Sequence, residues 1–428
     1  MLRATSINAG AAALLLTLTI GCTIGCGQAA MAPPVAAPEP GERPTPEATL
    51  RFQAALSRVA RHDRANDWTE EACKDAVAEL LAAGEPGSVV PRYDAALVEQ
   101  RCGRHAQAKA LLHDALDRDP RFYLARAALA LYAAEEPRGL DHAIDELAQV
   151  VADTGYTSVE ALVALATLQA RRASKAVDGD GADDFDRARK NLSRALAVDD
   201  RYMPALDQLA RLHLGQARRG GARAGKKASQ ALELAALVCA QATRKNPRYA
   251  PIHNTAGLVE MELGNPSRAA AHFDEARRLD PRLIEAHLNY AAVNLGSRGF
   301  AQAEEAYRAV LTIRPDEYDA RLGLALALRG QIDATGEPAR VDAAARELAA
   351  ARRIAPDRPE AYYNEAILVQ EYGGRGLERD KVRAELGRAK GLYATFLEKA
   401  GGAEAFHDAR ERARERMSEI DEMQRFIP

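Results

Sequence analysis

The chain has 428 residues, room for two or three ordinary domains or for one long repeat array. Apolar residues make up 47% but aromatics only 5%, a balance dominated by Ala and Leu that suits closely packed helices and disfavours sheets. Charged residues reach 28% yet leave a formal net of −3, which argues against nucleic acid as a partner, because a phosphate backbone calls for a clearly basic surface.

Residues 1–21 read as an export signal. Arg3 is followed by the apolar stretch AAALLLTLTI at 11–20 and then by Gly21-Cys22, a short basic start and apolar core with a small residue before the cut. That core is shorter than the roughly 20 apolar residues a membrane span needs. Ending on Gly-Cys, it resembles a bacterial lipobox, in which the cysteine is acylated and becomes the new first residue. Thr19 departs from the pattern, which prefers Leu there. A second copy, Thr23-Ile24-Gly25-Cys26, follows directly. Cys22 ends the uninterrupted apolar core and is the expected lipidation site, with Cys26 as the alternative. The other reading is an ordinary cleaved signal with two incidental cysteines. With Cys22 acylated, the next residue is Thr23 rather than Asp, which by analogy with other bacterial lipoproteins implies an outer-membrane anchor on the periplasmic face. Residues 22–47 then form the anchor and its tether. The stretch 27–47 is rich in Pro, Ala and Gly without apolar period, so it behaves as an extended spacer with a reach on the order of 60 Å.

From about residue 50 the apolar residues fall at helical spacing, broken every dozen or so by Gly, Pro or Asp. Pro247, Pro281 and Pro315 are 34 residues apart, the period of the tetratricopeptide (TPR) repeat, a helix–turn–helix unit. Counting back from each marker finds a small–large–small triad on the second helix: Ala108, Leu112 and Ala115; Ala188, Leu192 and Ala195; Ala235, Cys239 and Ala242. The triad continues as Ala269, Phe273 and Ala276; Ala303, Tyr307 and Val310; Ala344, Leu348 and Ala351; Ala389, Tyr393 and Phe396. A weaker unit at 123–156 carries Ala143, Leu147 and Val150 one residue out of phase. Small residues let the helices approach, and the large one fills the gap between them. Gly257 fits a close helix crossing and Gly264 the turn between helices. The expected fold is therefore an all-α TPR superhelix of about eight units over 87–401, with helical half-units at 48–86 and a capping helix at 402–428. In that cap Phe406, Ala409, Ala413, Met417, Ile420, Met423 and Ile427 form one stripe, and the opposite face is almost wholly charged.

Units longer than 34 residues carry their excess between first and second helix. An acidic insertion lies at 176–184 and a basic one at 218–227, with smaller ones at 331–340 and 373–380. They read either as tolerated surface loops or as a loop-bearing binding edge. The Asp-Gly-Asp-Gly run resembles a calcium loop but lacks the acid at the twelfth position, so no metal is expected there.

Cys73 begins the second leading helix and Cys102 ends the next one. Consecutive helices of such arrays run antiparallel, which brings the two within disulfide reach, and an exported protein meets an oxidising compartment. A Cys73–Cys102 bond is expected, the alternative being two buried thiols, while Cys239 reads as core. No G-x-S-x-G, H-E-x-x-H or Gly-rich phosphate loop is present, and the nine histidines are scattered singly. The expectation is a non-enzymatic chain with no catalytic residue, no metal, no cofactor and no small-molecule substrate.

Stacked TPR units present their first helices along a concave groove. By resemblance to the family the groove residues are Asn254, Leu258, Met261, Leu288, Asn289, Leu295, Leu322, Leu326, Tyr363, Asn364 and Ile367. The row is more apolar than the basic, amide-lined clamps some TPR proteins use, which points to an apolar helix or extended segment as occupant. The stretches EAHLNYAAVNLGSRGFAQAEEAYRAVLTIRPDEYDARLGLALALRGQID (285–333) and APDRPEAYYNEAILVQEY (355–372) resemble TPR lipoproteins of the myxobacterial adventurous gliding-motility machinery (Glt type). That resemblance implies a periplasmic scaffold with protein partners in an envelope-spanning motility complex. The alternative is a TPR lipoprotein assisting outer-membrane protein or secretin assembly.

Overall fold

The computed structural model describes residues 45–65, 67–85, 87–173, 182–220, 226–333 and 337–426. The export signal, the candidate acyl sites Cys22 and Cys26, nearly all of the tether, and Ile427 lie outside them, as does most of the acidic insertion. Among the described residues the architecture is all-α, as the composition and the 34-residue period require, with no strand.

Two leading helices, α1 (Pro46–Ala65) and α2 (Glu70–Ala83), precede eight helix pairs. These are α3 (Val90–Arg101) and α4 (His105–Arg118), α5 (Tyr123–Ala133) and α6 (Gly139–Asp153), α7 (Val159–Arg172) and α8 (Asp184–Val198), and α9 (Met203–Gly220) and α10 (Lys226–Lys245). Then come α11 (Ala250–Glu262) and α12 (Pro266–Leu279), α13 (Ile284–Gly296) and α14 (Phe300–Ile313), α15 (Tyr318–Gly330) and α16 (Pro338–Ile354), and α17 (Glu360–Leu368) and α18 (Arg379–Ala400). A π-helical turn, Val369–Gly373, prolongs α17, and α19 (His407–Phe426) follows the last pair. The chain divides into two compact units, with α1–α11 in one and α12–α19 in the other.

All eight triads of the second helices are buried, from Ala108, Leu112 and Ala115 to Ala389, Tyr393 and Phe396. The alanines leave no side chain to hold neighbouring helices apart. The Leu, Phe or Tyr between them fills the space, each contributing about 1.5–3 kcal/mol of burial. Cys239 sits in its triad as buried core, and burial pushes its thiol pKa up to about 12, so it stays protonated and unreactive.

The turns between units are made by their own sequence. Asp119, Asp199, Asn246 and Asp280 each accept from the backbone N–H two residues on, at 2.8–3.0 Å, the Asx turn these residues favour. Six residues after the turn proline, a side chain donates back to that proline's carbonyl, which has no helix partner. His253 Nε2 meets Pro247 at 2.8 Å, His287 Nε2 meets Pro281 at 3.0 Å, Arg321 meets Pro315 at 3.0 Å, and the Tyr362 hydroxyl meets Pro356 at 3.0 Å. Four residue types thus perform one task. The turn between α11 and α12 uses Gly264 at φ +78°, a left-handed conformation that costs other residues about 1–2 kcal/mol.

Cys73 and Cys102 are bonded, with Cα atoms 6.3 Å apart, tying the start of α2 to the end of α3. The two larger insertions are anchored where they meet helices. Asp183 caps α8 by accepting from Asp186 N–H at 2.9 Å, and the buried Asp184 takes a bidentate pair from Arg172 at 2.7 and 2.8 Å. On the basic side Arg218 pairs with Glu262 at 2.6 Å, and Arg219 lies over the Phe185 ring at 4.2 Å. The charges at these ends therefore have structural partners inside the array.

Candidate functional site

Within each compact unit, from α5 onward, the first helices of successive pairs touch one another, as α9 does α11, α13 does α15 and α15 does α17, whereas second helices do not pack together to a comparable degree. A row of helices in mutual contact on one side curves toward that side. The first helices therefore line the inner face, and the offsets that place a residue there recur from pair to pair.

The eleven groove positions divide by burial. Asn254, Leu322, Leu326, Asn364 and Ile367 are buried between helices, so their surfaces are spent on packing. Leu322 belongs to the apolar core of α13–α17, and Ile367 to the core of α17–α19. Leu258 and Met261 on α11, Leu288, Asn289 and Leu295 on α13, and Tyr363 on α17 remain half-buried and keep part of their surface free. The Asn364 amide donates to its own helix at Glu360 O, 2.8 Å away.

The inner face of the second unit is more polar than its leucines imply. Arg329 stands fourteen residues after Pro315, the offset that Leu295 holds from Pro281. Its side chain is half-buried and, among the described residues, makes no ion pair and donates to Asn364 Oδ1 at 3.3 Å. Burial depresses its pKa, with Glu371 opposing and Arg416 adding to the shift. Arg416 reaches in from α19 to Gln370 Oε1 at 3.2 Å and Glu371 Oε1 at 3.3 Å, both on the π-helical turn. Gln370 also accepts from the Tyr393 hydroxyl at 2.9 Å. Tyr363 leans on Phe396 and Tyr393, with ring centroids 4.9 and 5.9 Å away. Burial raises its phenol pKa while the charges of Arg416, Arg412 and Arg329 pull the other way. The charged face of α19 is therefore not wholly given to solvent. The repeat count carried the signal for Arg329, since the same offset that selects Leu295 selects it. The inward reach of Arg416 had no such signal, because the cap lies outside the period.

In the first unit, α3 sets Asp94 half-buried with no hydrogen bond or ion pair among the described residues, and burial pushes its carboxyl up to about 6. A separate open cleft of about 350 Å³ lies beside Arg352, Arg388 and Glu365. Glu365, 2% exposed, pairs there with both arginines at 2.8 Å. Among the described residues no group of three or more His, Cys, Asp or Glu is placed to hold a metal ion. No helix among them is long and apolar enough to cross a membrane.

No protein-family model matches the chain, and no curated protein matches it. Solved structures do. TTC0263, a thermophilic TPR protein of Thermus thermophilus, is 23% identical over 56% of this chain and 100% of its own, with a TM-score of 0.35. MamA 41-end from Desulfovibrio magneticus RS-1 is 18% identical over 45% of this chain and 97% of its own, at 0.35. YrrB, a TPR protein with an unusual peptide-binding site, is 15% identical over 51% of this chain and 97% of its own, at 0.34. Nothing about function follows from likenesses at this level.

Proposed function

We propose that this chain is a non-enzymatic scaffold that holds partner proteins along the inner face of its first helices. The observation that carries the reading is the set of half-buried residues at recurring offsets on that face, Leu258, Met261, Leu288, Asn289, Leu295 and Tyr363. Within each unit, a row of first helices that keeps apolar surface open at regular intervals suits an extended or helical segment laid along it.

In this reading the scaffold is a lipoprotein at the periplasmic face of the outer membrane and a subunit of an envelope-spanning gliding-motility complex. The lipobox ending on Cys22, the Pro/Ala-rich spacer behind it and a Cys73–Cys102 disulfide suited to an oxidising compartment support the location. The resemblance of 285–333 and 355–372 to gliding-motility TPR lipoproteins supports the context. In-cell crosslinking in the native organism, followed by purification and mass spectrometry, tests both. The expected result is a set of envelope proteins crosslinked to the first helices and an acylated Cys22 at the mature N-terminus. Normal gliding in a deletion strain overturns the motility role, and loss of secretin multimers on depletion selects assembly assistance instead. A chain that captures no protein refutes the scaffold itself.

A further inference from the structure

On its outer side α10 departs from the other second helices. Two residues before the large residue of the triad, α6, α8, α14 and α16 expose Asp145, Lys190, Glu305 and Arg346. In α10 that place is held by Leu237, which is 60% exposed, and Leu234 one turn earlier is 46% exposed. No charged residue occurs between Glu233 and Arg244. The helix packs chiefly on the first helices at either side of it, α9 and α11, and this face looks away from both. A single surface leucine is ordinary, whereas two within one turn of an uncharged stretch form a patch that water hydrates poorly.

The exposed stripe also reads the same in both directions. Glu233, Leu237, Ala240 and Arg244 follow at steps of four, three and four residues, which sets all four along one line of the helix, and all four are exposed. Turned end over end, the stripe meets itself with acid against base and large side chain against small. Both charges are available for such a contact. Glu233 accepts from the Ser229 hydroxyl at 3.2 Å, and neither it nor Arg244 makes an ion pair among the described residues.

We propose that this face of α10 pairs antiparallel with the same face of a second copy of the chain, about a two-fold axis level with the midpoint between Val238 and Cys239. That register sets Glu233 against Arg244 of the second copy and Leu237 against its Ala240, each pairing occurring twice, while Leu234 flanks the seam. A two-fold contact needs a self-complementary surface, and a stripe with opposite charges at equal distance from its centre meets that need. A parallel pairing in register would instead bring Glu233 to Glu233 and Arg244 to Arg244. The contact uses a second helix, so the first-helix face stays open in the dimer. With 20 residues α10 is about 30 Å long, and one helix face covers less than the roughly 800 Å² per partner of a standard interface. The dimer is therefore expected to be weak, with a Kd of about 10–100 μM.

The test is sedimentation equilibrium of the full chain at concentrations up to about 1 mM, well above the expected Kd. A monomer–dimer equilibrium is expected, closing at two because a two-fold contact leaves no free copy of itself. Leu237→Asp is expected to weaken association by at least about thirtyfold, since each substitution counts twice in the contact. Glu233→Arg and Arg244→Glu should each weaken it by about tenfold, and the two together should restore it to within about threefold of the wild type, because the pair is then reversed rather than broken. Matching circular dichroism spectra and unfolding midpoints establish that the variants fold. A monomer at every concentration overturns the proposal, as does a dimer indifferent to Leu237→Asp. An open series of larger species overturns it too, since the contact is then head to tail. A double charge variant no better than the single ones refutes the antiparallel register on which the argument stands. If the chain stays monomeric but floats with anionic phospholipid vesicles, and Leu237→Asp abolishes flotation, the face meets a membrane and the proposal falls.

Discussion

Two glycines of the second unit, both inside helices, should respond to alanine in opposite directions. At Gly323, in the middle of α15, an added Cβ would stand 2.2 Å from Tyr307 Cζ and 2.5 Å from Cε1 and Cε2. Non-bonded carbons rest about 3.5–4.0 Å apart, so the ring must retreat by roughly 1.5 Å. Tyr307 is 1% exposed, and the packed core leaves no space for that movement. Overpacking of this kind costs about 1–3 kcal/mol, offset by up to about 1 kcal/mol of helix propensity gained over glycine. With a clash this severe the upper end applies, and Gly323→Ala should lose about 2 kcal/mol. At Gly391, within α18, an added Cβ meets nothing within 4 Å, so Gly391→Ala should gain about 0.5–1 kcal/mol. The assay is urea unfolding followed by circular dichroism at equal m-value, reading the transition of the unit that contains both residues. Trimming the ring in the pair Gly323→Ala with Tyr307→Leu should recover part of the loss, a coupling well beyond the about 0.3–0.5 kcal/mol scatter of independent sites. If Gly323→Ala is as stable as Gly391→Ala, or if the pair is simply additive, the packing argument for the triads is wrong.

Reducing the Cys73–Cys102 bond, or replacing both cysteines with serine, should destabilise the first unit by about 3.6 kcal/mol, the chain-entropy value for a separation of 29 residues. A melting curve unchanged by reductant would refute it. Asp94→Asn should stabilise the same unit at neutral pH by about 1–3 kcal/mol, because the carboxyl is pushed from 3.8 up to about 6. A raised acid favours the folded state when protonated, so the gain should fade as pH falls from 6 toward 3.8, and an equal gain at pH 4 and pH 7.5 would contradict the cause. His287 has the opposite sign: burial depresses its imidazole below the ordinary 6.5, so the unfolded chain takes up the proton first. Stability should hold above pH 6.5 and decline on acidification below it, with a shallower decline in His287→Gln. An identical pH slope in the variant would remove His287 as the cause.

Residues performing the same task differ in how clearly they could be read beforehand. The triads and the turn prolines were legible because each repeats at a fixed interval and each answers a local demand, close helix approach or a chain reversal. The Cys73–Cys102 pair was legible because antiparallel succession alone sets which helix ends meet. The donors six residues after the turn prolines were hidden, since His253, His287, Arg321 and Tyr362 share no chemistry beyond a polar hydrogen at the right reach. On the inner face, Leu322 and Leu288 hold one offset, yet Leu322 is buried and Leu288 half-buried, a difference the repeat count does not carry.

The sequence by itself determined the all-α repeat and the disulfide, because both depend on period and local geometry that successive residues carry with them. Only the tertiary structure decided which groove residues keep free surface, how the insertion ends are pinned, and that Arg329 meets Asn364 while Arg416 reaches the π-helical turn beside Tyr393 and Tyr363. Those outcomes depend on side chains far apart in the chain, Arg329, Tyr363 and Arg416 among them. Neither composition nor period records the distances between such groups.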